Sequence, residues 1–242
     1  MTARSPTLRV AAAQPVTVAG DVAANALAHF EAVRRCAARL VVFPEMLLTG
    51  YSMDVTSVEV DDPALDPLVD ACRNAGSVAL VGAAVRYRSG RAIGVLAVSE
   101  GGVEIVYRKM TLGNEEARVY APGTTAAVVE IEGWQVGLGV CKDTRDDDHL
   151  TATIEEAIDL YVAGLVHRPD EVAEFDVRAR RIADLAAVPV VFAGFAGPTG
   201  GGYTQTSGGS AVWDANGARL VRAGHQPGFS VVADLTARGA IR

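Results

Sequence analysis

Three reactive side chains stand directly after strand-like apolar runs. Pro44-Glu45 follows "LVVF" (40–43), Arg108-Lys109 follows "VEIVY" (103–107), and Cys141 follows "WQVGLGV" (134–140). A carboxylate, an ammonium and a thiol delivered this way form a catalytic set. A thiol is a strong nucleophile only as thiolate, and its ordinary pKa leaves it mostly protonated near neutrality. A neighbouring Glu can accept that proton and return it to a leaving amine. A fixed Lys charge can stabilise the thiolate and the oxyanion of a tetrahedral intermediate. The backbone N–H of Lys142, at the turn after the cysteine, is a second candidate oxyanion donor. This chemistry requires no histidine, metal ion or bound cofactor.

The elements that must position these groups alternate between short β-rich runs and helical patterns. "LRVAAA" (8–13), "LVVF" (40–43), "VALVGAAV" (78–85), "AIGVLAV" (92–98), "VEIVY" (103–107), "AAVVEI" (126–131) and "WQVGLGV" (134–140) read as strands. So do "DLYVAG" (159–164), "VPVVFAGF" (188–195), "SAVW" (210–213), "ARLVRA" (218–223) and "FSVVADL" (229–235). Helical patterns cover 20–39, with Asp21 as the N-cap, then 63–75, 150–157 and 171–187. Many strands, few long helices and tight turns predict mixed sheets covered by helices. The apolar strands are nearly continuous, so both faces of each sheet should be buried. In such a fold, loops at strand ends carry the reacting groups. No linker or composition break divides the chain, which reads as one domain over 1–242. "GPTGGGYTQTSGG" (197–209) reads as a surface loop.

The bulk properties narrow the function classes. The chain has 242 residues, 50% hydrophobic and 21% charged, enough for one large α/β core. Its formal net charge of −7 argues against nucleic acid or an acidic membrane as the main partner. No apolar run is long enough to span a bilayer, and "VAAAQPV" is too short for a signal core. The expected location is the cytoplasm. Cys36, Cys72 and Cys141 lie far apart with no CxxC pair or Cys/His cluster, so they are expected to be free thiols without a metal.

Every candidate also has an ordinary reading. A buried free cysteine is common, and Cys36 and Cys72 sit in helical patterns as core or helix-face residues. A lone Glu after a strand is usually solvated, and "YRKM" alone is a surface basic pair. His149 is expected on the surface rather than as a base. His167 follows a strand end, where it either lines the pocket or is a loop residue beside Arg168. Tyr51 is placed near Glu45. The glycines at 200–202 and 207–209 do not lie between a strand and a helix, so they are no nucleotide-binding signature.

The joint pattern resembles a known family. "AAAQPVTVAGDVAANALAHFEAVRRCAARLVVFPEMLLTGY" (11–51) is similar to the opening of the carbon–nitrogen hydrolase, or nitrilase, superfamily. "YRKMTLGNEEARVYAPG" (107–123), "GLGVCKDTR" (137–145) and "GGSAVWDANG" (208–217) resemble its later blocks. The resemblance implies an αββα sandwich, two mixed β-sheets face to face with helices outside, which forms four-layer dimers or higher homo-oligomers through its helices. It implies Glu45 as general base, Lys109 as oxyanion stabiliser and Cys141 as the acyl-forming nucleophile. It also implies a second glutamate: counting back from Pro122-Gly123 selects Glu116, counting forward from Lys109 reaches Ala117, and Glu115 remains open.

The third block departs from the common amidase pattern. Lys142 replaces an aromatic residue, Asp143 and Arg145 are retained, and Asp146, Asp147 and Asp148 replace Phe-Pro-Glu. Asp143, Arg145, Tyr51 and His167 are carried as candidate pocket residues. The acidic run reads better as a solvated helix start than as a contact for a cationic substrate. The expected activity is hydrolysis of a small amide or carbamoyl compound through a thioester, more so than of a nitrile. A catalytically idle partner-binding subunit and an acyltransferase using the same residues are the alternatives.

Overall fold

The computed structural model describes residues 4–88 and 90–237. In chain order the elements are β1 (Thr7–Gln14), α1 (Val22–Cys36), β2 (Leu40–Val42), α2 (Asp66–Ala75), β3 (Val78–Tyr87), β4 (Gly90–Ser99), β5 (Gly102–Arg108), β6 (Val128–Ile131) and β7 (Trp134–Val140). They continue with α3 (Asp147–Glu155), β8 (Leu160–Leu165), α4 (Glu174–Ala186), β9 (Val190–Gly194), β10 (Ala211–Trp213), β11 (Arg219–Arg222) and β12 (Phe229–Thr236). Two mixed sheets result, ordered β12-β1-β2-β3-β4-β5 and β11-β10-β9-β8-β7-β6. Each has a parallel centre, β1-β2-β3 in one and β7-β8-β9 in the other, flanked by antiparallel strands.

Side-chain alternation along the central strands builds two faces. Leu40, Val42, Leu80 and Ala84 of the first sheet meet Val136, Leu138, Val140, Leu160 and Val162 of the second, making the core between the sheets. The opposite face of the first sheet takes Val41, Ala79, Val81 and Ala83 to α1 and α2. The opposite face of the second takes Tyr161, Ala163 and Phe192 to α3 and α4. The layers are therefore αββα. Both faces of the parallel strands are buried, which is why they read as unbroken apolar runs.

The helices obey local chemistry. Asp21 accepts a hydrogen bond from the Ala24 N–H and caps α1, whose inward stripe is Asn25, Ala26, His29, Ala32, Val33 and Cys36. Asp146 caps α3 by accepting from the His149 N–H, so α3 begins three residues before the expected 150. Residues Pro169–Glu171 form a separate turn, and α4 therefore starts at Glu174 rather than 171. Among the described residues, no helix is long and apolar enough to cross a membrane.

Candidate active site

Glu45 reaches the site because the turn after β2 is wedged between the two sheets. An added Cβ at Gly82, on β3, would lie 2.2 Å from the Pro44 carbonyl oxygen. One at Gly164, on β8, would lie 2.6 Å from the Glu45 nitrogen. A glycine from each sheet thus leaves room for the Pro44-Glu45 backbone. Gly82→Ala is expected to cost about 1–3 kcal/mol of overpacking strain. That corresponds to roughly 2–4 °C of melting temperature per kcal/mol for a chain of this size. An unchanged thermal melt would show that the turn is not clamped.

Lys109 leaves the end of β5 and is 1% exposed, as is Glu45. Its ammonium donates to Glu45 Oε1 at 2.6 Å and to Glu116 Oε1 and Oε2 at 2.8 and 2.9 Å, which engages all three of its N–H groups. Glu116 is held in turn by the Tyr51 hydroxyl at 2.8 Å and the Gly113 N–H at 2.6 Å. Of the two candidate glutamates, Glu116 is the one that contacts Lys109. Glu115 is exposed and pairs with Arg118.

Cys141 begins a short 3-10 turn in a left-handed backbone conformation, φ 46°. Non-glycine residues adopt this region rarely and at an energetic cost, often at functional sites. Its thiol donates to the Val166 carbonyl at 3.7 Å and lies within the electrostatic reach of Glu45. The N–H of Lys142 lies in the first turn, where no intrahelical acceptor exists.

The electrostatics separate the roles of the two carboxyls. Burial pushes Glu45 up to about 7; Lys109 opposes this and the Glu116 charge adds to it. Burial also acts upward on Glu116, but Lys109, the Gly113 N–H and the Tyr51 hydroxyl outweigh it and hold its carboxyl below the ordinary value. Burial alone would lower the Lys109 ammonium, yet the charges of Glu45, Cys141 and Glu116 raise it well above the ordinary range. Burial and the Glu45 charge push the Cys141 thiol up to about 12. The resting site therefore pairs a protonated thiol with a carboxyl that titrates near neutrality.

A cavity of about 150 Å³ opens onto Lys109, Glu116 and Cys141, lined also by Tyr51, Lys142 and Arg145 together with Gly113, Val166, His167, Glu171, Arg178 and Tyr203, with Glu45 behind this lining rather than part of it. The structure thus brings Glu45, Lys109, Glu116 and Cys141 together and sets Tyr51, Lys142, Arg145 and His167 around them. Asp143 is not among the lining residues. It is fully buried and accepts from the Tyr107 hydroxyl at 2.8 Å, the Thr111 N–H at 2.8 Å and the Val140 N–H at 3.0 Å. It ties the loop after Lys109 to the strand before Cys141. His149 corrects the surface expectation: it is fully buried, with Tyr107 and Tyr161 hydroxyls each 3.2 Å from a ring nitrogen. None of Asp146, Asp147 and Asp148 lines the cavity. Asp146 is the α3 cap, Asp147 pairs with Arg181, and Asp148 is exposed, a solvated helix start.

Sequence reasoning missed Tyr203 and Arg178. Tyr203 comes from the glycine-rich loop expected only at the surface, and its ring meets Tyr51 edge-on at 5.6 Å. Arg178 projects inward from α4, pairs with Glu174 and donates to Thr144 Oγ1 at 3.2 Å. Its place on the inward helix stripe beside Phe175 and Ile182 was the available signal. Among the described residues, no group of three or more His, Cys, Asp or Glu is arranged to hold a metal ion.

Residues 9–238 match the sequence profile of the carbon–nitrogen hydrolase family. A Mycobacterium tuberculosis protein named Hydrolase Rv0480c is 30% identical over 218 residues, 82% of this chain and 78% of that one. An (R)-stereoselective amidase from Pseudomonas sp. is 29% identical over 130 residues, 51% of this chain and 47% of its own. The solved amidase from Nesterenkonia sp. AN1, a nitrilase-superfamily protein, superposes with a TM-score of 0.83 at 25% identity, covering 94% of this chain and 91% of that one. One variant of that amidase carries the acetamide moiety of fluoroacetamide covalently on its active-site cysteine. The fold, the extent of the profile match and the relative at 30% identity agree with one another. The chain belongs to the carbon–nitrogen hydrolase family of the nitrilase superfamily.

Proposed function

We propose that this hydrolase cleaves small amides or carbamoyl compounds through a Cys141 thioester, with Glu45 and Lys109 completing the triad. The observation that carries the reading is the buried Glu45 carboxyl, bonded to Lys109 at 2.6 Å and raised to about 7, in the same site as a Cys141 thiol raised to about 12. Such a thiol reacts at neutral pH only if its proton leaves as the new bond forms, and Glu45 is the acceptor in place. Glu45 takes the proton as Sγ bonds the carbonyl carbon, and the carbonyl π electrons move to oxygen. Once Glu45 is protonated its hold on Lys109 weakens, and one ammonium N–H turns to the oxyanion beside the Lys142 N–H. Glu45 then protonates the leaving nitrogen as the C–N bond breaks, and ammonia or an amine departs. Water attacks the thioester carbonyl while Glu45 takes its proton. Collapse expels the sulfur, which recovers a proton from Glu45. Glu116 keeps Lys109 in position throughout.

The test is ammonia release from a panel of small amides, carbamoyl compounds and nitriles across pH 5–10. Amides or carbamoyl compounds should exceed nitriles. On the acid side kcat/KM should rise about tenfold per pH unit and level off near the Glu45 value of about 7. Glu116→Gln removes a negative charge that raises Glu45, so this limb should move to lower pH. An inert panel, or a limb that ignores Glu116→Gln, would count against the assignment.

A further inference from the structure

Asp143 grips the chain on both sides of Lys109 and of Cys141. It accepts the Tyr107 hydroxyl and the Thr111 N–H, two residues before and two after Lys109, and the Val140 N–H, next to Cys141. Asp143 itself stands two residues past Cys141. The separation of ammonium and thiol therefore depends on these three bonds. Behind them lies a set of buried polar groups that the reaction does not touch. His149, on α3, places Nδ1 3.2 Å from the Tyr107 hydroxyl and Nε2 3.2 Å from the hydroxyl of Tyr161, on β8. Burial holds this imidazole below its ordinary pKa, against the charges of Asp143 and Asp146, so at neutral pH it has one N–H and one free lone pair. The neighbours settle which nitrogen carries the hydrogen. The single Tyr107 proton goes to Asp143 at 2.8 Å, so Nδ1 donates to the Tyr107 oxygen. Nε2 is then an acceptor. The Thr153 hydroxyl, 3.3 Å from Nε2, donates to the His149 carbonyl at 2.8 Å, which leaves Tyr161 as the donor to Nε2.

Every proton in the series Tyr161, His149, Tyr107 thus points towards Asp143. The backbone makes room for the series. A Cβ added at Gly139, on β7 two residues before Cys141, would collide with the Tyr161 hydroxyl oxygen and lie 3.2 Å from His149 Nε2. Resting on the hydrolase reading above, we infer that His149 is a positioning residue for the reaction: its Nδ1–H holds the Tyr107 hydroxyl on Asp143, and Asp143 holds Lys109 and Cys141 at their working separation. A hydroxyl that accepts a hydrogen bond donates its own more strongly, so the imidazole tightens the Tyr107–Asp143 bond. Without the N–H, the Tyr107 oxygen keeps a buried lone pair with no donor, and the end of β5 that carries Lys109 is held less firmly. Small displacements of this kind are expensive for a reaction that relies on aligned groups. None of Tyr107, Asp143, His149 and Tyr161 lines the cavity at Cys141, so the effect should fall on kcat rather than KM.

Two substitutions at His149 separate positioning from packing. His149→Leu fills the space but has no N–H. His149→Asn leaves space unfilled, yet its side-chain N–H stands where Nδ1 stood and reaches Tyr107. In His149→Leu kcat should fall about tenfold or more with KM changed less than about threefold, and in His149→Asn kcat should stay within about threefold of wild type. Tyr107→Phe should match His149→Leu, and the variant carrying both should be no worse than either, because both cut the same connection. Thermal melts establish that each variant is folded at the assay temperature. If His149→Leu is not, Tyr107→Phe against His149→Asn makes the same comparison. The rate at which iodoacetamide alkylates Cys141 is a readout without turnover, because the Lys109 charge acts downward on a thiol that burial and Glu45 push up. Alkylation should slow several-fold in His149→Leu and Tyr107→Phe and stay near the wild-type rate in His149→Asn. An active leucine variant beside an impaired asparagine variant makes His149 a packing residue and overturns the inference, as do losses that multiply in the double variant. If wild type hydrolyses amides and no variant changes kcat, the mechanism stands and the inference fails. If the alkylation ranking holds while wild type hydrolyses none, the positioning stands and the hydrolytic mechanism alone fails.

Discussion

Cys141→Ala is expected to stop ammonia release, by on the order of 10⁴-fold or more, while leaving the fold intact. The size of the loss follows from the chemistry, because no other described residue offers a nucleophile beside Lys109 and Glu45. Tyr51 lines the same cavity, but burial and the neighbouring Glu45 and Glu116 charges push its hydroxyl far above the ordinary range. The small structural effect follows from the contacts. The sulfur makes one long bond, to the Val166 carbonyl. Alanine keeps the Cβ, so the left-handed backbone at φ 46° is no more strained than before. Losing about one hydrogen bond's worth of stability should move the melting temperature by roughly 5 °C at most. In the wild type, iodoacetamide should label Cys141 ahead of Cys36 and Cys72, which are 4% and 0% exposed. Retained turnover in Cys141→Ala, or labelling confined to the other two thiols, would remove the nucleophile assignment.

Much of this arrangement is legible in the residues themselves. Glu45, Lys109 and Cys141 each follow an apolar strand, and the strands do deliver them to one place. What the one-dimensional pattern lacks is the third coordinate. Nothing local marks Gly82 and Gly164 as the pair between which the Pro44-Glu45 turn is wedged, because they come from different sheets and meet it across the core. Counting forward from Lys109 reaches Ala117, whereas the compact turn that begins at Gly113 presents Glu116. There the Ala117 N–H bonds back to the Gly113 carbonyl, and the Gly113 N–H bonds forward to the Glu116 carboxylate. His149 looks solvated after three aspartates. Yet once Asp146 is the cap, helical spacing turns His149, Leu150 and Thr153 inward and leaves Asp147 and Asp148 outside. The departure from the amidase pattern at Lys142 is visible in sequence. That Lys142 shares a cavity with Arg145, His167 and Arg178, from three different segments, becomes visible only in three dimensions.

Lys109→Met should abolish turnover and also destabilise the protein, and the two effects should be separable. Methionine matches the length of the stem but leaves Glu45 and Glu116, 1% and 3% exposed, without their shared cation. Removing one partner from a buried ion set typically costs about 3–5 kcal/mol, because the remaining charges are neither solvated nor compensated. The sign of the pH dependence follows from the same contacts. Lys109 lowers the pKa of both carboxyls, so its loss raises both above their unfolded values. Groups raised in the folded state stabilise it at low pH, and that contribution disappears as pH rises through the folded pKa. The melting-temperature gap between Lys109→Met and wild type should therefore be small near pH 5 and widen towards pH 8. Adding Glu116→Gln removes one of the stranded charges and should recover part of the lost stability at pH 8, measured by thermal melts. It should recover none of the ammonia release, because the oxyanion still lacks its cation. A double variant that regained turnover along with stability would show that the ammonium serves the fold and takes no part in the reaction.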